Sequence, residues 1–269
     1  MRCQQLINFC FTFSLVVTVS LFAQTTQAQN AAELSPRDCK LRVAWSPWPP
    51  FIEGQSKPSG IHIDLVNWIG KTMNCQLIYQ RMTWADSVEA IRSGKTDLLG
   101  RASLVEARKK FALFSEPYRE SLIVLYVRRG VSKQYKASSV EDLLKQGFKI
   151  GLQKGAYYGD IVMALKAKPE YKSNFPEYTF TNGPPVDLLL NNSIDGLLES
   201  PYTMDSISLK SFEKSLIEEY PLEIFSETLH FIFSQKSVSP EFVDKFNQAI
   251  IDVRKTPEYQ KHWFWKAAK

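Results

Sequence analysis

The chain has 269 residues; 44% are hydrophobic, 23% charged and 13% aromatic, and 33 Lys and Arg against 28 Asp and Glu leave a formal charge of +5. This is the composition of a folded globular protein and excludes a disordered, collagen-like or disulfide-dense scaffold. The basic residues are dispersed, with no run longer than Arg108-Lys109-Lys110, so no nucleic-acid partner is expected.

Arg2 precedes an uncharged apolar run from Phe11 to Ala23, and Thr26-Gln27-Ala28 supplies a small-x-Ala cleavage signal. The run falls short of the ~20 apolar residues of a comfortable membrane span. A secretory signal peptide over residues 1–28 is expected, with an uncleaved N-terminal anchor as the competing reading. Cys10 lies ahead of the apolar run, the wrong side for a lipidated cysteine. Nothing later reaches span length, so a soluble extracytoplasmic chain is expected. Cys39 and Cys75 remain after cleavage. An even pair in an oxidising compartment favours a disulfide over two separate buried thiols.

Leu41 to Trp45 reads as a strand stopped by the proline-rich turn Ser46 to Phe51. Ile61, Leu65, Trp68, Ile69 and Met73 recur at helical spacing. Residues 76–82 read as a strand and 86–92 as a helix closed by Gly94; 96–100 form another strand. Repeated strand–helix units imply a largely parallel, helix-covered sheet. The apolar strand Leu122–Val127 follows, and the alternation then restarts. A capping box over Ser138 to Glu141 opens a helix. Next come a strand (149–152), a helix (157–166), a strand (178–181), a helix (185–190) and a strand (194–198). Leu229–Ser234 is a second long apolar strand, and Ser239-Pro240 and Thr256-Pro257 begin C-terminal helices. Two such sets joined by two extended segments suggest two lobes and two crossings, placed near Val127 and near His230 and Phe231.

Gly94 through Arg108, followed by Phe114-Ser115-Glu116-Pro117-Tyr118, is similar in order and spacing to the "G-x-x-D … S/T-x-T-x-E-R … F-S-x-P-Y" run of bacterial extracytoplasmic solute-binding proteins of family 3, the polar amino-acid binding proteins of ABC importers. Trp48-Pro49-Pro50-Phe51 resembles the family's aromatic turn. Gly151 to Gly155 resembles its second-lobe turn, and Asp195 to Leu198 a later strand. The resemblance spans Leu41 to Lys266. It implies an α/β, two-lobed periplasmic-binding-protein type II fold, each lobe a mixed, mainly parallel sheet flanked by helices. Lobe 1 would comprise 39–127 plus 231–269, and lobe 2 would comprise 128–230.

The resemblance further implies that Arg108 holds the carboxylate of an amino-acid ligand, a task suited to a bidentate guanidinium. Ser103 would contribute its hydroxyl and amide, and Ala102 its carbonyl. Trp48 and Trp84 would wall the first lobe, with core packing as the competing reading; flat aromatics suit an aliphatic stem or a cation. Gly155, Ala156 and Tyr157 would start a second-lobe helix facing the ligand. Here the family's hydroxyls are missing, and Tyr157 and Tyr158 either shape the pocket or pack the helix. Trp45 stands where the family commonly has an ammonium-binding Asp. Glu199 is the candidate ammonium partner, or else a plain surface glutamate. Arg101 would pair with Glu199 or bind a second anionic group.

The expected function is capture of a small amino-acid-like or anionic ligand by hinge closure, and its delivery to a membrane ABC permease, by a periplasmic monomer with no cofactor or metal. Two other classes compete: an enzyme of the cyclohexadienyl-dehydratase type on the same fold, and a sensing module without transport. His62 and His230 are expected to be structural.

Overall fold

A computed structural model of the chain describes residues 39–180, 183–207 and 211–262. The expected signal peptide lies outside the described residues, as do Thr181 and the last residues of the C-terminal segment.

The first part runs β1 (Lys40–Trp45), α1 (Ile61–Thr72), β2 (Gln76–Arg81), α2 (Trp84–Ser93), β3 (Leu98–Ser103), α3 (Glu106–Lys109), β4 (Ala112–Phe114) and β5 (Arg119–Arg128). The middle holds α4 (Val131–Gln134), α5 (Val140–Lys145), β6 (Ile150–Gln153), α6 (Gly159–Ala167), a 3-10 turn (Pro169–Asn174), β7 (Glu177–Tyr178), α7 (Val186–Leu190), β8 (Gly196–Glu199), α8 (Pro201–Ser206), α9 (Ser211–Ser215) and β9 (Ile217–Glu219). The chain returns through β10 (Phe225–Ser234), α10 (Pro240–Arg254) and α11 (Pro257–His262).

The strands lie in the order β2-β1-β3-β10-β5-β8-β6-β7, with β4 also on β10 and β9 also on β5. Strands linked by helices pair in parallel, β1 with β2 and β3 on one side and β6 with β7 and β8 on the other. β5 and β10 are antiparallel to each other over Arg119–Ile123 and Phe225–Leu229, and each then runs on into a different set of partners. The far end of β10 pairs with β3 and β4; the far end of β5 pairs with β8 and β9. The two strands thus cross between two α/β sheets, upstream of Val127 and Phe231 where the apolar runs suggest the crossings. The polar N-terminal halves of both strands hide this from a hydrophobicity reading.

Each sheet has its own apolar core. On the first side Phe51, Ile69, Phe231 and Phe233 are fully buried together, with Phe246 against them at 1% exposure. On the second side Leu125, Leu143, Phe148, Ile150 and Leu198 do the same. The local signals act as physics dictates. Thr83 caps α2 by accepting from the Asp86 amide at 3.1 Å, and Gly94 ends it in the left-handed region at φ 80°. Ser239 caps α10 by accepting from the Phe242 amide, and Val243, Phe246, Ile250 and Val253 form its buried stripe. At α5 the cap is Ser139; the Asp142 carboxylate turns back to the Ser138 amide, one residue along from the expected box.

Cys39 and Cys75 are disulfide-bonded, with Cα atoms 4.6 Å apart across a sequence separation of 36. They stand immediately before β1 and β2 and staple the starts of two neighbouring strands. A loop of that size is worth about 3–4 kcal/mol in the chain-entropy account.

Candidate functional site

The carboxyl ends of β1, β3, β6 and β8 converge between the two sheets, the usual place for a ligand in open α/β sheets. A cavity of about 80 Å³ opens there. On the first side it is walled by Trp48, Trp84, Arg101 and Ser103; on the second by Gln153, Ala156, Tyr157, Tyr158 and Glu199; β5 and β10 add Ser121, Ile123, Glu227 and Leu229.

Arg101 reaches the cavity because of an irregularity in β3. His230 pairs with Ala102 and Ile232 with Leu99, so Gly100 and Arg101 together face the single residue Phe231. This is a β-bulge, which re-aims a side chain at the cost of local strain. Arg101 takes the left-handed region at φ 52°, rare for a residue with a Cβ. The Tyr118 hydroxyl accepts from its amide at 3.0 Å, and the guanidinium donates to Ser46 Oγ at 2.9 Å. Its carbon lies 4.7 Å from the Trp84 ring centre and 5.5 Å from that of Trp48. Gly100 is needed for packing: a Cβ there would lie 2.3 Å from Nε2 of His62.

His62 is structural. It sits between Trp48, Tyr118 and Phe231, and burial, then the charges of Arg101 and Arg119, push it down to about 3. His230 is likewise held in the fold, Nδ1 against the Ser115 carbonyl at 2.7 Å and Nε2 against the Thr228 hydroxyl at 3.1 Å.

Glu199 ends β8 and faces Arg101 from the second side. Burial raises its carboxyl to about 7, against the opposing pull of the Ser200 amide at 2.8 Å and of Arg101. Glu227, on β10, accepts from the Ser103 hydroxyl at 2.9 Å, and burial raises it also to about 7 while Ser103 and Arg108 pull the other way. No spacing signal marks Glu227. It lies on a strand whose apolar half drew attention away from its polar one, and only the pairing of β10 with β5 brings it to the site.

Arg108 occupies different ground. Its side chain is 6% exposed and lies outside the cavity wall, 5.5 Å from the Trp84 ring centre. It donates to the Ser103 carbonyl at 3.0 Å and to the Gly155 carbonyl at 3.3 Å. Trp84 Nε1 donates to that same Gly155 carbonyl at 3.0 Å. Gly155, from the second side, is thus gripped by two side chains of the first. Ala102 is fully buried in the core and lines no part of the cavity. Trp45, at 2% exposure, is also core.

The turn after β6 differs from expectation. No helix begins at Gly155–Tyr157, because Gly155 at φ 77° turns the chain and α6 starts only at Gly159, itself at φ 86°. The Ala156 amide is used within the turn, donating to the Gln153 carbonyl at 3.1 Å. Both tyrosines line the cavity. The Tyr158 hydroxyl accepts from the Gln153 amide at 2.9 Å, and the Tyr157 hydroxyl donates to Asp160 at 2.6 Å.

On the opposite flank the guanidinium of Arg119 lies 3.5 Å from the Phe51 ring centre and 5.2 Å from that of Tyr202 in α8. Phe51 and Tyr202 also meet edge to face at 6.2 Å. Contacts between the two sides therefore flank the cavity at both ends. Among the described residues no cluster of three or more His, Cys, Asp or Glu is placed to hold a metal, and no helix is long and apolar enough to cross a membrane.

Comparison with known proteins agrees with this architecture. A probable histidine-binding protein of Campylobacter jejuni subsp. jejuni is 26% identical over 251 residues, covering 90% of this chain and 92% of that protein. An arginine-binding periplasmic protein of Mannheimia haemolytica is 25% identical over 242 residues, covering 88% and 90%. The solved structure of an ancestral arginine-binding protein bound to arginine aligns with a TM-score of 0.67 at 24% identity, covering 84% of this chain and 98% of that one. Residues 41–266 match the family model of bacterial extracellular solute-binding proteins, family 3. The chain belongs to that family of solute-binding proteins.

Proposed function

We propose that the protein captures a small amino-acid-like solute in the cavity between its two sheets and delivers it to a membrane ABC importer. One observation carries this reading: a half-buried guanidinium, Arg101, and a half-buried carboxyl, Glu199, line one cavity from opposite sides, together with Trp48 and Trp84. A solute with both an anionic and a cationic group satisfies the two at once, and does so only when the sides are together. Differential contact of this kind is what allows a ligand to shift an open–closed equilibrium. The paired stretches Arg119–Ile123 and Phe225–Leu229 are the natural hinge. Lobe 1 then ends within β5 and resumes within β10.

In this reading Arg101, Ser103, Trp48, Trp84, Tyr157 and Glu199 touch the solute. Arg108, which the sequence motif assigns to a carboxylate, serves closure by gripping Gly155. The relatives' histidine- and arginine-binding names support an amino-acid-like solute. Export with removal of residues 1–28, residence in the periplasm, a monomeric state and binding without turnover belong to the same proposal.

The test is a thermal-shift screen of the purified protein against amino acids, amines and small organic acids, followed by small-angle scattering. A solute at 100 times its dissociation constant adds about 2.7 kcal/mol of stability. The expected result is a raised melting temperature with a smaller radius of gyration. A panel without any response would end the proposal.

A further inference from the structure

One guanidinium, that of Arg101, and two carboxyls, those of Glu199 and Glu227, line the cavity. Arg108 stands behind Glu227 and its positive charge acts on that carboxyl, but its donors go to the carbonyls of Ser103 and Gly155 and offer a solute no hydrogen bond. Arg101 donates to Ser46 and stacks on tryptophan. The hydroxyl of Ser103 is a donor that resemblance assigns to the ligand, and it is already given to Glu227 at 2.9 Å. The chain's own carboxylate therefore fills the corner where an acidic solute would seek its partners.

From this arrangement, and resting on the solute-binding proposal above, we infer that Glu227 is a specificity-determining residue that excludes solutes carrying a second anionic group. A single anionic group on the solute answers Arg101. Glu199 answers an ammonium on the solute, while Glu227, whose charge is met by Arg108 and whose hydrogen bond is met by Ser103, leaves no partner for a second carboxylate. Burying an unbalanced charge is costly, so the balance decides what enters. An acidic solute would bring a second carboxylate against Glu227 and would be rejected by repulsion as well as by the missing donor. Tyr157 and Tyr158 complete the wall on that side with aromatic surface, compatible with an organic cation.

The experiment is calorimetric titration of wild type, Glu227→Gln, Glu227→Asp and the exposed control Glu223→Gln with four probes: L-arginine, agmatine, L-glutamine and L-glutamate. Melting curves are recorded alongside to check folding. Wild type should bind L-glutamate at least tenfold more weakly than the best of the other three probes. Glu227→Gln should narrow the gap between that probe and L-glutamate by tenfold or more. Glu227→Asp, which keeps the charge, and Glu223→Gln should preserve the ranking. A wild-type preference for L-glutamate, or an unchanged ranking in a folded Glu227→Gln, overturns the inference and leaves the binding proposal standing. Failure of every probe here and of the wider screen overturns the binding proposal itself.

Discussion

Arg101 and Arg108 stand a few residues apart in one strand–loop–helix segment, and burial pulls both down to about 10. Their surroundings nevertheless differ in kind. Arg101 is half-buried, held by one side-chain hydroxyl and two aromatic faces, and opens onto the cavity. Arg108 is buried behind Trp84 with two backbone carbonyls on its guanidinium. Arg108 carries the recognisable spacing; Arg101 sits at a position where the family motif usually has a small residue. The comparison teaches that a recognisable motif can mark an arginine the fold buries, while a one-residue bulge decides which arginine opens onto the cavity.

The sharpest way to break this contrast is Arg108→Met. It removes the Arg108 donor from the Ser103 carbonyl, leaves the Gly155 carbonyl to Trp84 Nε1, and removes the positive charge beside Glu227. Denaturant unfolding should show a loss of about 2–4 kcal/mol. A fully stable variant would mean that Arg108 is not the structural arginine of the two.

Next in size is Gly100→Ala, which drives a Cβ to 2.3 Å from His62 and disturbs the bulge that aims Arg101. The expected cost is about 1–3 kcal/mol, with loss of solute response, and His62→Ala in the same chain should recover part of the stability. Independence of the two substitutions would argue against this packing.

Glu199→Gln probes the other wall through pH. Its carboxyl ordinarily titrates at 4.5 and stands at about 7 in the fold. The native state therefore binds more protons than the unfolded chain across that window, and stability falls as pH rises through it. Glu227 acts in the same direction. His62 acts oppositely: lowered from 6.5 to about 3, it costs stability as pH falls below 6.5. The Gln variant should pull ahead of wild type above pH 5 and gain about 1–2 kcal/mol by pH 8, read from melting temperatures across pH. Parallel curves would show that the carboxyl is not desolvated.

The smallest change in stability is expected for Arg101→Met. The long apolar stem keeps its contact with the tryptophans, and the left-handed backbone strain stays, so unfolding should shift by less than about 1 kcal/mol. Solute-induced stabilisation should nevertheless disappear. If Arg101→Met still responds to the solute while Arg108→Met does not, the roles given to the two arginines are reversed.

Much of the fold was legible because local rules were obeyed. Gly94, Ser239 and Pro240 mark real helix ends, and the apolar runs around Leu125 and Phe231 mark real core strands. The short strands β4 and β9 left no trace, since three residues carry too little periodicity to register. The turn at Gly155 was misread as a helix start because a glycine just after a short strand suits either, and the positive φ at Gly159 is a tertiary demand met against Phe225. Trp48, Trp84 and Glu199 line the cavity and were expected there by position in a motif. Glu227 and Ser46 could not be, because nothing next to them in the chain announces chemistry.

Taken alone, the order of residues determined the succession of strands and helices, the cysteine pair and the family, since these follow from spacing, capping and compartment. The tertiary structure decided which charges share one space. Which side chains meet across β3, β8 and β10 depends on a bulge, a strand crossing and the register of strands far apart in sequence, and an effect that rests on distances between remote residues leaves no local signature to read.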